Sequence, residues 1–234
     1  MPEIPPPNRL ILLFSLMLIV LSFNEAPAGK YTCDGLPAIT VFAKDPHTAN
    51  TICDYAEKSL SILSRFGLIP LHQIIIEIVE EEIQNLGCTA YGAYDSRTDR
   101  ITLMSYQSIL RNQDHPQMYG EFFDRVFYGS VIAHEITHAV FHQYSPHISP
   151  GIVQQEYLAH AIQLAVLPED RRTGIVARME VTPWESGDII SDTYLGLDPE
   201  HFAVKSYSHL VTCDDPQAFI GILLNSKWFS INVP

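Results

Sequence analysis

The chain has 234 residues, 47% of them hydrophobic, and a formal net charge of -13 at pH 7. That length and apolar content suit one folded domain with a substantial core and exclude a disordered chain. The acidic balance, with no run of Lys and Arg, argues against nucleic acid as a partner, because phosphate backbones are held by clustered cations.

In chain order, the first feature is an apolar run from Leu10 to Phe23, behind Arg9 and ahead of Ala26-Pro27-Ala28. This layout predicts a signal peptide over residues 1–28, cleaved after Ala28. The run is shorter than the roughly 20 residues a bilayer-spanning helix needs, and an uncleaved anchor is the alternative. Residues 29–234 are then expected to be a single exported domain, periplasmic or extracellular, with no membrane contact after cleavage. Four cysteines remain, Cys33, Cys53, Cys88 and Cys213. An even count in an exported chain predicts two disulfides, with three pairings open and Cys33 and Cys53 closest in sequence. The acidic cluster Glu80, Glu81 and Glu82 reads as a solvated turn.

Ala38 to Phe42 reads as a strand, and Ala49, Ile52, Ala56, Leu60 and Leu63 recur at helical spacing between His47 and Phe66. The β-branched run Ile74 to Val79 predicts a buried strand. Ala90 to Tyr94 and Ile101 to Met104 flank the polar turn Asp95 to Asp99 and predict a hairpin. From about Tyr119 helical patterns take over. Tyr119 to Gln143 predicts one long buried helix, and Ile152 to Leu167 a second, stopped by Pro168. Asp198-Pro199 and Asp215-Pro216 each place a capping acid before a proline, which marks two further helix starts. The expected fold is therefore α+β: a small N-terminal sheet with an edge hairpin, an active-site helix, and a mostly helical C-terminal part.

Inside the long helix lies His134-Glu135-Ile136-Thr137-His138. Two residues four apart in a helix sit about 40° apart around the axis and one turn along it, so both imidazoles can reach one metal. Glu135, one position after the first imidazole, projects beside the metal, where it can take a proton from a bound water. Val131, Ile132, Ala133, Ala139, Val140 and Phe141 put the motif in apolar surroundings. Glu156, eighteen positions after His138 on the next helix, is the expected third ligand. Three protein ligands and one open position describe a catalytic zinc site. His142 lies a further turn away and reads as a polar residue at the helix end. His147, in the following loop, could approach the site without any spacing that requires it. His160, four positions after Glu156, is either a hydrogen-bond partner of a ligand or a satisfied core histidine.

These residues resemble the gluzincin metallopeptidases, the thermolysin-like class marked by HExxH and a glutamate ligand on a second helix. The resemblance spans His134 to about Leu167, and the preceding strands are loosely similar to those of the compact minigluzincins. It implies a zincin-like fold, a Zn2+ cofactor, and a substrate backbone paired with the strand nearest the cleft, by position Thr89 to Tyr94. A metzincin would need Gly at position 141 and His at position 144, where Phe141 and Tyr144 stand. The expected activity is hydrolysis of a peptide or protein substrate, with Glu135 as general base. A donor for the developing oxyanion is expected among Tyr194, His201, Tyr207 and His209, and Tyr207 is selected because its helix could return toward the cleft. The competing expectations are a non-catalytic exported protein that binds zinc or a partner on the same scaffold, and a zinc hydrolase acting on a non-peptide bond.

Overall fold

The computed structural model describes residues 28–85, 88–145 and 151–234. The signal segment up to residue 27, Gly87 and His147 lie outside the described residues, as does the side chain of Cys88. The first half runs β1 (Gly29–Cys33), β2 (Leu36–Ala43), α1 (Pro46–Ser64), β3 (Ile74–Val79), β4 (Ile83–Asn85), β5 (Cys88–Ala90), β6 (Gly92–Asp95), β7 (Arg100–Met104), α2 (Tyr106–Asn112), β8 (Gln117–Met118) and β9 (Glu121–Phe122). The second runs α3 (Arg125–Gln143), α4 (Ile152–Ala165), α5 (Glu169–Met179), β10 (Ile189–Ser191), α6 (Asp192–Leu197), α7 (Pro199–Thr212), α8 (Pro216–Asn225) and β11 (Ser230–Asn232). The class is α+β, with a mixed sheet first and helices after it.

The sheet has the order β1-β2-β3-β7-β6. β2, β3 and β7 run parallel, and β1 and β6 are antiparallel additions at the two edges. The central strands are fully buried at Ile39, Val41, Ile74, Ile76, Ile101 and Leu103, as β-branched and Leu-rich strands under helices should be. The expected hairpin is β6–β7. The strand expected over Thr89 to Tyr94 divides at Tyr91. Tyr91 accepts a backbone bond from Met104, its hydroxyl donates to Gln113 at 2.6 Å, and its ring lies 4.8 Å from Phe123. These ties bend the chain, so that β5 pairs with β4 while β6 continues the main sheet.

The helix expected from Tyr119 begins six residues later. Tyr119 and Gly120 have φ of 54° and 71°, a left-handed turn that no helix accommodates, and they close the β8–β9 hairpin. Asp124 then caps α3, accepting from the N–H groups of Val126 and Phe127 at 3.0 Å each. Burial raises the Asp124 carboxyl, but these N–H groups and the Arg171 guanidinium, 2.8 Å away, outweigh it and hold the group below its usual range. Phe122, expected on the helix, is exposed instead. α1 packs on α3 through Gly129, where any Cβ would overlap the Tyr55 ring, so only glycine lets the two helices approach this closely. Asp198 and Asp215 cap α7 and α8 as expected, accepting from His201 and Ala218.

Two further expectations are corrected. Glu81 and Glu82 are exposed as expected, but Glu80 is not a free solvated residue: its carboxylate accepts from Ser105 Oγ at 2.9 Å and Arg111 at 2.7 Å, tying β3 to α2. Cys33 and Cys53 form a disulfide that fastens β1 to α1, but Cys213 carries a free thiol, so the described residues hold one bridge where two were expected. Among the described residues no helix is long and apolar enough to cross a membrane.

Replacing Asp124 with Ala removes the cap of α3 and should lower unfolding free energy by about 1–2 kcal/mol in urea denaturation. An unchanged urea midpoint would contradict the role given to the cap.

Candidate metal centre

α3 carries the HExxH residues where it is most enclosed, flanked by fully buried Ile132, Ala133, Ile136 and Ala139. One helical turn puts the His134 and His138 rings 4.7 Å apart, with their Nε2 atoms 3.0 Å from each other. α4 crosses this face and brings in Glu156. Its Oε2 lies 3.4 Å from His134 Nε2, and its Oε1 lies 3.5 Å from His138 Nε2. The first turn of α4 is anchored on both sides. Val153 N–H donates to Asp192 at 3.0 Å, and Gln154 Nε2 donates to the Trp228 carbonyl at 2.6 Å.

The spacing of these donors is that of ligands around one ion. Zinc bonded at about 2.0–2.1 Å to nitrogen or oxygen in a tetrahedron separates its ligands by about 3.3–3.4 Å. The three donor pairs span 3.0 to 3.5 Å. Ring nitrogens and carboxylate oxygens facing one another at such distances must share a proton or a cation, since lone pairs repel. Burial, the largest influence, drives the His138 imidazole down to about 4 and thus keeps it neutral. Burial would raise the Glu156 carboxyl, yet the imidazoles that face it hold it well below the carboxylate range, and Glu156 in turn holds the His134 imidazole above its usual value against burial. A metal needs both imidazoles neutral and the carboxylate ionised, so binding here would release any proton that His134 carries. By their spacing, His134, His138 and Glu156 could hold a metal ion.

Glu135 lies beside this set. It is 7% exposed, and burial pushes its carboxyl up to about 7 against the pull of His134. The edge strand β6 passes directly over it. A Cβ on Gly92 would stand 2.7 Å from Glu135 Cγ and 3.0 Å from its Oε1, so a side chain there would occupy the space of the carboxylate. The site opens into a cavity of about 240 Å³ lined by Tyr91, Gly92, Glu135 and the three donor residues. A second hollow of about 370 Å³ shares His138 and Glu156 and extends past Ala93 and Tyr94 to Ile152. The two hollows meet residues of β6 and share His138 and Glu156.

Of the remaining expected residues, His160 is at the site. Its Nε2 lies 3.4 Å from Glu156 Oε2, and its ring is 4.8 Å from His134. Tyr207 is not. Its ring lies 5.7 Å from the Arg172 guanidinium, which binds the carbonyls of Ala165 and Leu167 at the far end of α4. Ala165 is nine residues past Glu156, or about 13 Å along the helix. α7 meets α4 through Phe202, whose ring lies 6.0 Å from that of His160, and through His209, which pairs with Tyr157, whereas Tyr207 lies beside Arg172 of α5. The other oxyanion candidates are engaged elsewhere: His201 with Asp198, His209 with the Tyr157 hydroxyl, and Tyr194 against Trp184. His142 sits in the last turn of α3, with its ring 5.9 Å from Tyr94.

One residue at the centre escaped the sequence reading. Gln163 is 4% exposed and reaches the Nδ1 atoms of His134 and His160 at 3.0 and 3.2 Å. The signal was present, since Glu156, His160 and Gln163 follow i, i+4, i+7 spacing on one helical face. A search restricted to ligand and acid–base residue types passes over an amide.

Replacing Gly92 with Ala should displace the Glu135 side chain and the Leu103 methyl it would meet, lowering stability by about 1–3 kcal/mol. A Gly92→Ala protein with unchanged melting temperature and an unmoved Glu135 would contradict this packing.

No curated protein and no solved structure matches the chain. A family model does match, and it spans residues 39–232, from within β2 through β11, so that it takes in the sheet apart from β1, both helices of the metal centre and the C-terminal elements. The chain belongs to that family, described as a family of unknown function (DUF6639).

Proposed function

We propose that the protein is an exported zinc-dependent peptidase of the gluzincin type. The observation that carries this reading is the buried Glu135 carboxyl beside three donors spaced 3.0 to 3.5 Å apart, all lining one cavity next to Gly92 of the edge strand β6. Zinc held by His134, His138 and Glu156 would lower the pKa of a bound water toward about 7 and polarise a carbonyl. Glu135 takes the proton of the attacking water and returns it to the leaving amine, a role that needs a carboxylate next to the metal but not on it. Its position is maintained by Gly92 on one side and by the main-chain N–H of Tyr94.

Among the described residues no strand pairs with the outer edge of β6, and we propose that an extended chain aligns there. A peptide aligned there gains backbone hydrogen bonds and carries its carbonyls past the metal. This favours a peptide over a compact non-peptide substrate. The Cys33–Cys53 disulfide and the apolar N-terminal run with its Ala-x-Ala site support export.

A second reading has one observation in its favour. His160 Nε2, 3.4 Å from Glu156 Oε2, could move in as a fourth ligand and close the coordination shell, as in a structural zinc site. The two readings separate on Glu135. Glu135→Gln should retain zinc while losing nearly all hydrolysis, His134→Ala or His138→Ala should lose both, and Glu156→Ala should weaken zinc binding strongly. Zinc content by plasma emission and cleavage of a mixed peptide library, read by mass spectrometry, give both quantities. If wild type and Glu135→Gln cleaved the library equally, the general-base role would be wrong. If wild-type protein held zinc and cleaved nothing, the structural reading would replace it.

A further inference from the structure

We propose that the hollow beside the metal centre, walled by Tyr94 and Ile152, holds a bulky uncharged side chain of the substrate next to the bond that is cut. The inference rests on the peptidase reading and deepens it, from a peptide in general to one with a large apolar residue, such as leucine or phenylalanine, at one position flanking the scissile bond. The hollow, of about 370 Å³, shares His138 and Glu156 with the cavity that contains Glu135. A chain whose carbonyl meets the metal thus has the hollow within reach of a side chain beside that carbonyl.

Charge decides what the hollow accepts. His138 and Glu156 are committed to the metal, and the other residues that line it, Gln84, Ala93, Tyr94, Ile152 and Gln155, are all neutral. The carboxylates on the neighbouring turn are engaged: Asp99 accepts from the Tyr94 hydroxyl at 2.7 Å, and Asp95 pairs with Arg97 at 2.9 Å. Among the described residues that line the hollow, none outside the metal set offers a charge to an Asp, Glu, Lys or Arg of the substrate. A charged side chain leaving water without a partner loses more than it gains.

Size and shape select among the neutral residues. At about 370 Å³ the hollow lies within the range of pockets that enclose small-molecule ligands, about 300–1,000 Å³, so it can seat a large side chain. Ile152 is 52% exposed at the first position of α4, one helical turn before Glu156 and on the same face. Its branched side chain leaves water when a substrate side chain covers it. The turn that carries it is pinned, because Val153 and Gln154 are the residues tied to Asp192 and Trp228. Tyr94 is fixed by its hydroxyl on Asp99, by its main-chain N–H on Glu135 and by the His142 ring 5.9 Å from its own. Two anchored walls lose little freedom on binding, so more of the apolar contact appears as selectivity.

The test offers the zinc-loaded mature chain a peptide library with every residue type at each position, and mass spectrometry reads the cuts. One position beside the cut should be enriched in Leu, Ile, Phe and Tyr, with kcat/KM about 10–100-fold above the same peptide carrying Ala, and lower still with Asp or Glu. Ile152→Lys should abolish that enrichment and favour Asp or Glu at the same position. A second measurement needs no catalysis. In zinc-loaded Glu135→Gln protein with ¹³C-labelled isoleucine methyl groups, the Ile152 signal should shift with a blocked tetrapeptide containing Leu and stay in place with one containing Asp. Cleavage without preference at that position, or a preference that Ile152→Lys leaves unchanged, would overturn the proposal and leave the peptidase reading standing. A folded, zinc-bound wild type that cut nothing would sink the peptidase reading. The methyl spectrum would then judge the hollow as a binding site alone, upheld by a shift specific to the leucine peptide and overturned by none.

Discussion

Nitrogen and oxygen lone pairs from four half-buried side chains, His134, His138, Glu156 and His160, are crowded together between α3 and α4. Such groups are tolerated in a core only when each has a partner, because an unpaired buried polar atom costs about 1–3 kcal/mol. The inner pairs, at 3.0 to 3.5 Å, leave room for one shared positive centre. Much of the surrounding structure is placed so that this cluster can exist: the Asp124 cap that starts α3, the Gly129 contact that admits α1, and the Asp192 and Trp228 ties that hold the first turn of α4.

The same enclosure separates the roles of two carboxylates. Glu156, ringed by imidazoles, is held ionised and suited to binding a cation. Glu135, one residue from His134, faces the strand β6 and Gly92, and burial, opposed mainly by the His134 ring, pushes it up to about 7. Different neighbours thus suit one acid to the ligation and the other to the proton transfer proposed for them. That difference comes from packing, since the two residues are chemically identical.

The legible parts of the sequence were those written in local geometry. Helical spacing put His134 and His138 on one face, and the interval to Glu156 put the third donor one helix away. The Asp-Pro pairs marked the starts of α7 and α8. The β-branched run at Ile74 to Val79 became a parallel central strand. Elements of two or three residues, such as β8–β9 and β10–β11, carry too few side chains to show a period, and the first of these also masked the true start of α3. Tyr91 divided an apparently continuous strand through contacts with Gln113 and Phe123, which are remote in sequence. Tyr207 illustrates the limit on site assignment: periodicity places it on a helix, but which face of α7 meets α4 is decided by tertiary packing. Gln163 was hidden for a different reason, because its contact with the His134 ring exists only once α4 packs on α3.

The central claim is that two imidazoles and one carboxylate form a three-ligand zinc shell with an open position. X-ray absorption at the zinc edge of the reconstituted mature chain tests it most directly. The account predicts two histidine nitrogens at about 2.0–2.1 Å and oxygen ligands at about 2.0–2.2 Å from the carboxylate and a water, with Glu156→Ala removing one oxygen. A shell of three histidines, a sulfur at about 2.3 Å, or no bound zinc would contradict it.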